Sequence, residues 1–463
     1  MKTAKSRFGF KGGVHPEYRK EATRGKATER IPLPATLAMS MSQHLGAPAK
    51  CIVKAGDYVW RGQKIGEKNG FISACVRASA SGLVKGVEKR ATPTGALADA
   101  AIVDTTAPAP EGAAAPAPLA PMDWRAASRE ELLARIEEAG LCGMGGAGFP
   151  TAVKLNPPPG KRCEYLVVNG AECEPCLTAD FRLMVEQPGK IRAGVEIIRK
   201  ILGSPAVRIA IEDNKPEAIA ALEKAFADID GNVEITVLPV LYPQGSEKHL
   251  IYATTGRIVP EPPALPIDAG CVVENVATVA AIADAVERGE PPLERITTVS
   301  GDAVAEPKNV IAPCGTAYAD LVAFCGGEKG RPAKVVSGGP MMGFAVPDLS
   351  IPTTKTTSGL LLLSPKSVFQ YTAGACINCG RCVDACPMRL DGREICRAME
   401  NGDTGAAERL HVMSCIECGA CSFGCPAYRP ITQSCRRAKA SIRARIAAEK
   451  AKAAAAAAKG SEK

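Results

Sequence analysis

The chain has 463 residues, enough for about three or more domains, and its 46% hydrophobic content is that of a globular protein. No stretch approaches the ~18 uninterrupted apolar residues of a membrane-crossing helix. The net charge of +8 sits at the two ends, with nine Lys/Arg against three Glu in residues 1–30 and nine against two in 434–463. Basic ends suit an acidic partner, an anionic membrane surface or plain solvation equally well, whereas 4% aromatics and no recognition motif argue against nucleic acid.

The opening MKTAKSRFGFKGG lacks an apolar h-region, so no secretory signal is expected. The 19 cysteines are then read in a reducing compartment, which favours clusters over disulfides. After a basic segment (1–30), residues 31–105 read as a small β domain: short strands alternate with Gly turns, as in Ala55-Gly-Asp-Tyr-Val-Trp-Arg-Gly-Gln. Residues 106–122 are a Pro/Ala linker. A helix should start after Ser128, with Glu131 in the capping-box position. Strands then alternate with helices: strand 164–169, helix 190–202, strand 206–212, helix 216–227, strand 234–240. That alternation predicts a parallel-sheet α/β domain over 123–295. Residues 296–350 read as a compact β-grasp-like unit with a helix near 319–324, and 441–463 as an Ala/Lys-rich tail.

Between 366 and 440 the run Cys-x-x-Cys-x-x-Cys-x-x-x-Cys-Pro occurs twice, as Cys376, Cys379, Cys382, Cys386 and as Cys415, Cys418, Cys421, Cys425. This is the ligand spacing of a bacterial ferredoxin with two 4Fe-4S clusters, in which the fourth cysteine of each run reaches the other cluster. Cys376, Cys379, Cys382 and Cys425 are therefore assigned to one cluster, and Cys415, Cys418, Cys421 and Cys386 to the other. Zinc is the weaker reading, because zinc knuckles lack the third cysteine and the proline. Cys142, Cys173 and Cys176 have no evident fourth ligand, so a third metal site is not expected.

Four glycines lie within six residues in Leu141-Cys-Gly-Met-Gly-Gly-Ala-Gly-Phe-Pro-Thr-Ala-Val-Lys154. Such a loop lets backbone N–H groups approach a phosphate, and Lys154 can add a positive charge. It precedes the first strong strand, so it is neither a Walker A loop nor a Rossmann fingerprint.

With Asn169-Gly-Ala-Glu-Cys-Glu-Pro, this loop resembles the flavin-binding subunit of respiratory complex I. Along almost the whole chain the closer resemblance is to the RnfC family, a component of the Rnf ion-translocating electron-transport complex. It is carried by Phe10-Lys-Gly-Gly-Val-His-Pro, the glycine loop, Ile211-Glu-Asp-Asn-Lys-Pro, Tyr242-Pro-Gln-Gly-Ser-Glu-Lys, Gly338-Gly-Pro-Met-Met-Gly and both cysteine runs. The segment 51–87 is similar to the barrel-sandwich hybrid of lipoyl and biotinyl domains, but no lysine stands in Arg77-Ala-Ser-Ala-Ser-Gly, so no lipoyl or biotinyl group is expected.

The resemblance implies an α/β multidomain chain: a barrel-sandwich-like β domain, a Rossmann-like flavin/nucleotide domain, an SLBB-type β-grasp domain and an α+β ferredoxin module. It implies non-covalent FMN and NAD(H) as substrate. Gly143, Gly145, Gly146 and Gly148 would lie along the flavin and its phosphate, which Lys154 would neutralise. Phe149 would stack on a ring. Asn169 and Glu172 would bond the ribityl chain or the isoalloxazine edge. Glu174, Gly245 and Glu247 would line the nicotinamide side, and Asn275 and Thr278 would close the phosphate pocket. Met144, Ala171 and Ser246 depart from the complex I pattern and fit the Rnf branch. No acid–base catalytic residue is assigned. The implied partners are other Rnf-type subunits, including membrane-embedded ones, with ferredoxin reached through another of them. The implied place is the cytoplasmic face of the bacterial inner membrane. Two other readings stay open, a flavin/iron–sulfur cobalamin reductase and a cluster-only relay scaffold.

Overall fold

The computed structural model describes residues 1–117, 119–229, 231–368 and 372–461, with side chains up to 453. At its centre a five-stranded parallel sheet runs Lys2–Lys5, Val233–Leu238, Ala206–Glu212, Tyr165–Asn169, Cys271–Asn275. The inner strands are nearly continuous apolar runs, as strands covered on both faces require. Helices Pro188–Ile201 and Val276–Glu287 pack on this sheet in one continuous core with Leu166, Val168, Ile209 and Ile235. The capping box at Ser128 is complete: Oγ accepts the Glu131 N–H (3.2 Å) and Glu131 accepts the Ser128 N–H (2.7 Å). Ser128→Ala should lower stability by about 1 kcal/mol in thermal unfolding.

The first surprise is the outermost strand. The basic N-terminal segment supplies Lys2–Lys5, paired in parallel with Val233–Leu238, and Lys2 bridges Glu234 at 2.9 Å. Four residues are too few for a periodic signal, and the lysines masked the strand.

A six-stranded mixed sheet follows the order Phe344–Val346, Lys334–Ser337, Gly359–Leu363, Glu294–Ser300, Lys308–Pro313, Glu29–Arg30, with helix Tyr318–Phe324 against it. This unit reaches beyond 296–350 at both ends. Gly359–Leu363 is an inner strand, because its apolar run pairs with Thr298–Ser300 on one side and with Lys334–Ser337 on the other. The N-terminal β domain is two small sheets over a shared core of Leu37, Met39, Val59, Ile65, Val76 and Val103.

In the cysteine-rich module, the described residues from 372 onward form short helices joined by turns and irregular segments. Gly380 and Gly419, at φ 77° and 84°, follow the second cysteine of each run. Each turns the chain into a one-turn helix that carries the third cysteine, Arg381–Asp384 or Ala420–Phe423. Helix Ile431–Ser461 closes the module through Ile431, Cys435, Ala438 and Ile442. Among the described residues, no helix is long and apolar enough to cross a membrane.

Candidate flavin and iron–sulfur sites

The parallel sheet reverses its winding between Tyr165–Asn169 and Cys271–Asn275, and the last residues of both strands, Asn169 and Asn275, are register partners. Ligands of open α/β sheets bind at such a switch point, beyond the carboxyl ends of the strands. The glycine loop lies across this point. Gly143 N–H donates to the Phe149 carbonyl (2.9 Å), Met144 N–H donates to Thr278 Oγ1 (2.9 Å), and Arg295 donates to the Met144 carbonyl (3.0 Å). A Cβ on Gly145 would sit 2.5 Å from Asn275 Nδ2, while Gly146 faces open space. Asn275 caps helix Val276–Glu287 by accepting the Ala277 N–H (2.8 Å). The structure thus brings Gly145, Asn275 and Thr278 together at one helix N-terminus, with Gly143 tied to half-buried Phe149 and Gly146 open beside them, whereas Gly148 is buried against His44 and Thr356 and accepts the Leu45 N–H.

Lys154 enters from the short helix Thr151–Lys154 and bonds Glu247 Oε1 at 3.1 Å. Burial opposes its charge, but the carboxylates of Glu274 and Glu247 outweigh this and hold the ammonium above its ordinary pKa. Glu274 is 1% exposed, and among the described residues its Oε1 has no hydrogen-bond partner. Burial pushes its carboxyl up to about 7, with Lys154 opposing and Glu247 adding. Asn169 Nδ2 donates to the Gly245 carbonyl (2.9 Å), so the Asn-Gly-Ala-Glu turn and the segment before helix Glu247–Thr255 are locked together.

Two carboxylates expected to face the cofactor turn elsewhere. Glu172, at φ 45°, accepts the N–H groups of Asp180 (2.7 Å) and Phe181 (3.3 Å) and so caps helix Ala179–Glu186; burial pushes it up to about 7 against the pull of Lys20. Glu174 accepts the N–H groups of Met341 (3.0 Å) and Met342 (2.9 Å), and its Oε1 lies 3.2 Å from the Tyr242 hydroxyl oxygen. It ties the Gly338-Gly-Pro-Met-Met-Gly turn to the α/β domain. Sequence reasoning missed this because a buried carboxylate before proline looks the same whether it meets a ligand or a backbone turn.

The cysteines form two groups, each crossing between the runs. Cys376, Cys379, Cys382 and Cys425 line one hollow, together with Pro426 and Arg429. Cys386 lies with the second run: burial pushes the Cys418 thiol up to about 12, with Cys421, Cys415 and Cys386 adding to it. Among the described residues no three His, Cys, Asp or Glu side chains close tightly enough for a single metal ion. Wider sulfur sets are what a four-iron cube needs, since each thiolate binds a different corner. Cys142, Cys173 and Cys176 are not joined: Cys142 faces the Gln43 carbonyl, and Cys173 faces the Gly245 N–H.

Four family models match this architecture in order: the RnfC barrel-sandwich hybrid domain over 8–107, the Nuo51 FMN-binding domain over 136–284, an SLBB domain over 296–345 and a 4Fe-4S dicluster domain over 369–426. The chain is 46% identical to the RnfC-type component of the proton-translocating ferredoxin:NAD(+) oxidoreductase complex of Clostridium ljungdahlii, over 82% of each chain. It is 44% identical to the corresponding component of the Na(+)-translocating ferredoxin:NAD(+) oxidoreductase complex of Acetobacterium woodii, over 94% of this chain and 97% of the relative. To that of the ion-translocating oxidoreductase complex of Rhodobacter capsulatus it is 41% identical, over 94% and 83%.

The chain belongs to the RnfC family. Its FMN-binding and dicluster domains make it an electron-transfer component of the oxidoreductase type.

Several residues that shape the RnfC sites went unassigned in the sequence. Lys20 Nζ donates to the carbonyls of Glu172 and Leu177 (2.7 Å each), and Lys215 Nζ donates to the Ala171 carbonyl (2.6 Å). Both buried ammoniums hold the Asn-Gly-Ala-Glu turn from behind. Lys215 stands in the Asp-Asn-Lys-Pro motif, which was its only signal. Cys396 lines the first cysteine hollow, and Cys435 hydrogen-bonds Cys415, whose thiol that contact draws down to about 7. Neither belongs to a spaced run.

Proposed function

We propose that this chain is the peripheral NADH-oxidising or NAD-reducing member of an Rnf-type ferredoxin:NAD oxidoreductase complex, lying at the cytoplasmic face of the inner membrane and handing electrons to or from membrane subunits that translocate ions. A bound flavin would supply the conversion between the hydride pair of NADH and the single electrons that cubanes carry. The residues present fit that cofactor set. Glycines give open backbone at a helix N-terminus, Lys154 and Thr278 stand beside it, and two four-cysteine groups follow.

The observation that carries the reading is the direct contact between the flavin-type domain and one cysteine group. The buried Tyr242 hydroxyl donates to the Cys418 carbonyl at 2.7 Å, and Gly13 N–H donates to the Ala385 carbonyl at 2.9 Å. His249 Nε2 lies 3.1 Å from the Pro387 carbonyl, and a Cβ on Gly12 would press on the Cys386 carbonyl at 2.7 Å. Cys376 and Cys379 are instead exposed, beside Ile377 at 65% exposure. We therefore place the group of Cys386, Cys415, Cys418 and Cys421 next to the flavin, and the group of Cys376, Cys379, Cys382 and Cys425 at the exit toward a partner.

Lys154→Ala tests the flavin half. In protein reconstituted anaerobically with iron, sulfide and FMN, it should lower flavin occupancy at least tenfold and leave iron content unchanged. Equal loss of both would mean misfolding. Wild-type protein that keeps its clusters but takes up no flavin would leave the relay scaffold as the reading.

A further inference from the structure

Two carboxylates act on Lys154. Glu247 bonds its ammonium directly, and Glu274, buried near the end of strand Cys271–Asn275 and one residue before the helix-capping Asn275, adds its charge without a direct ion pair. Two carboxylates on one ammonium leave the cluster with a net charge of −1 when all three groups are ionised. That is the wrong sign for a cradle meant to hold a phosphate. The lone Oε1 of Glu274 is a second sign of an unsettled site, since buried carboxylate oxygens normally have partners.

We propose that Glu274 decides whether the flavin phosphate can stay: FMN is held with Glu274 protonated, so that phosphate binding takes up one proton at this residue. This rests on the reading of Lys154 as the phosphate partner. With Glu274 neutral, Lys154 and Glu247 balance, the helix N-terminus and Thr278 supply the attraction, and the Glu274 O–H can donate a hydrogen bond. With Glu274 ionised, a dianion would enter a cluster that is already negative. The balance is simple: Glu274 carboxylate plus a proton from solvent gives the acid form, and no other bond changes. The charged and titratable groups that act on Glu274 are Lys154, from helix Thr151–Lys154, Glu247, from helix Glu247–Thr255, and the buried Cys142 thiol of the glycine loop.

The direction of the coupling follows. Burial raises the free-site pKa of Glu274 to about 7, and a nearby phosphate raises it further. Below the free-site value Glu274 is already protonated, and affinity does not depend on it. Above that value each pH unit costs one proton, so the FMN dissociation constant climbs toward tenfold per unit.

The test is FMN titration by fluorescence quenching in the full-length, cluster-loaded chain between pH 7.5 and 9, with riboflavin as the probe that lacks a phosphate. In wild type the FMN dissociation constant should rise about tenfold per pH unit while that of riboflavin changes little. Glu274→Gln should flatten the FMN profile and bind more tightly than wild type at the upper end. A Glu274→Gln profile parallel to wild type overturns the proposal, and flattening by Glu172→Gln instead would assign the proton to the helix-capping carboxylate. Lys154→Ala separates the two levels of argument. If it binds FMN like wild type, the phosphate reading itself fails; if it loses FMN while Glu274→Gln stays pH-dependent, only the proton inference fails.

Discussion

Cys386→Ala is expected to halve the bound iron and to abolish reduction of the remaining cluster by NADH, while Cys425→Ala also halves the iron but leaves NADH reduction of the remaining cluster intact. The asymmetry comes from crossed ligation. Cys386 sits with Cys415, Cys418 and Cys421, the group whose loops touch Tyr242 and the Phe10–Val14 segment. Cys425 sits with the exposed group. Removing the inner cluster leaves the outer one beyond a gap, and electron transfer falls steeply with distance. Iron analysis and low-temperature EPR, after NADH and separately after dithionite, read both outcomes. Dithionite should reduce the surviving cluster in either variant, which separates lost connection from lost cluster. If each run instead bound its own cluster, the NADH results of the two variants would exchange, and the crossed ligation would fall.

Much of this arrangement was legible because spacing is local. The cysteine runs fix which sulfurs lie near one another to within a few residues. Strand Ala206–Glu212 and helix Pro188–Ile201 announced themselves by apolar runs and periodicity bounded by Pro and Gly. What escaped was decided by tertiary contact. Lys2–Lys5 is a strand only because Val233–Leu238 offers an open edge. Glu172 and Glu174 look like ligand carboxylates in one dimension, but in the fold one caps a helix and the other clamps the Met341 turn. Glu274 drew no attention because a glutamate beside a capping Asn has no motif of its own. Its meaning appears only once Lys154 and Glu247, distant in sequence, are seen to converge on it. Position in the chain told which residues carry chemistry, and packing told which way they point.

Gly194→Ala is expected to destabilise the flavin-type domain by ~1–3 kcal/mol and to release flavin before either cluster is lost. Gly194 lies in helix Pro188–Ile201 where that helix crosses Val276–Glu287, and a Cβ there would sit 2.0 Å from the Val279 carbonyl oxygen and 2.8 Å from its Cγ1. The obstacle is backbone, which cannot rotate aside, so the helices must part by more than an ångström before ordinary contact at ~3.5 Å is restored. Helix Val276–Glu287 carries Asn275 at its cap and Thr278 in its first turn, the two groups under the glycine loop. Moving it withdraws the Met144–Thr278 bond and opens the phosphate end of the crevice. The cysteine module packs on a different part of the domain, through Tyr242 and His249, and should keep its iron. Gly189→Ala is the matched control. It lies in the same helix with nothing within 4 Å of the added carbon, so it should leave the unfolding midpoint unchanged or raise it slightly, because alanine favours helix over glycine. Thermal unfolding with flavin and iron analysis of both variants decides the matter. Equal behaviour of the two alanines would show that the helix pair has slack at Gly194, and loss of iron in step with flavin would show that the domains do not respond separately.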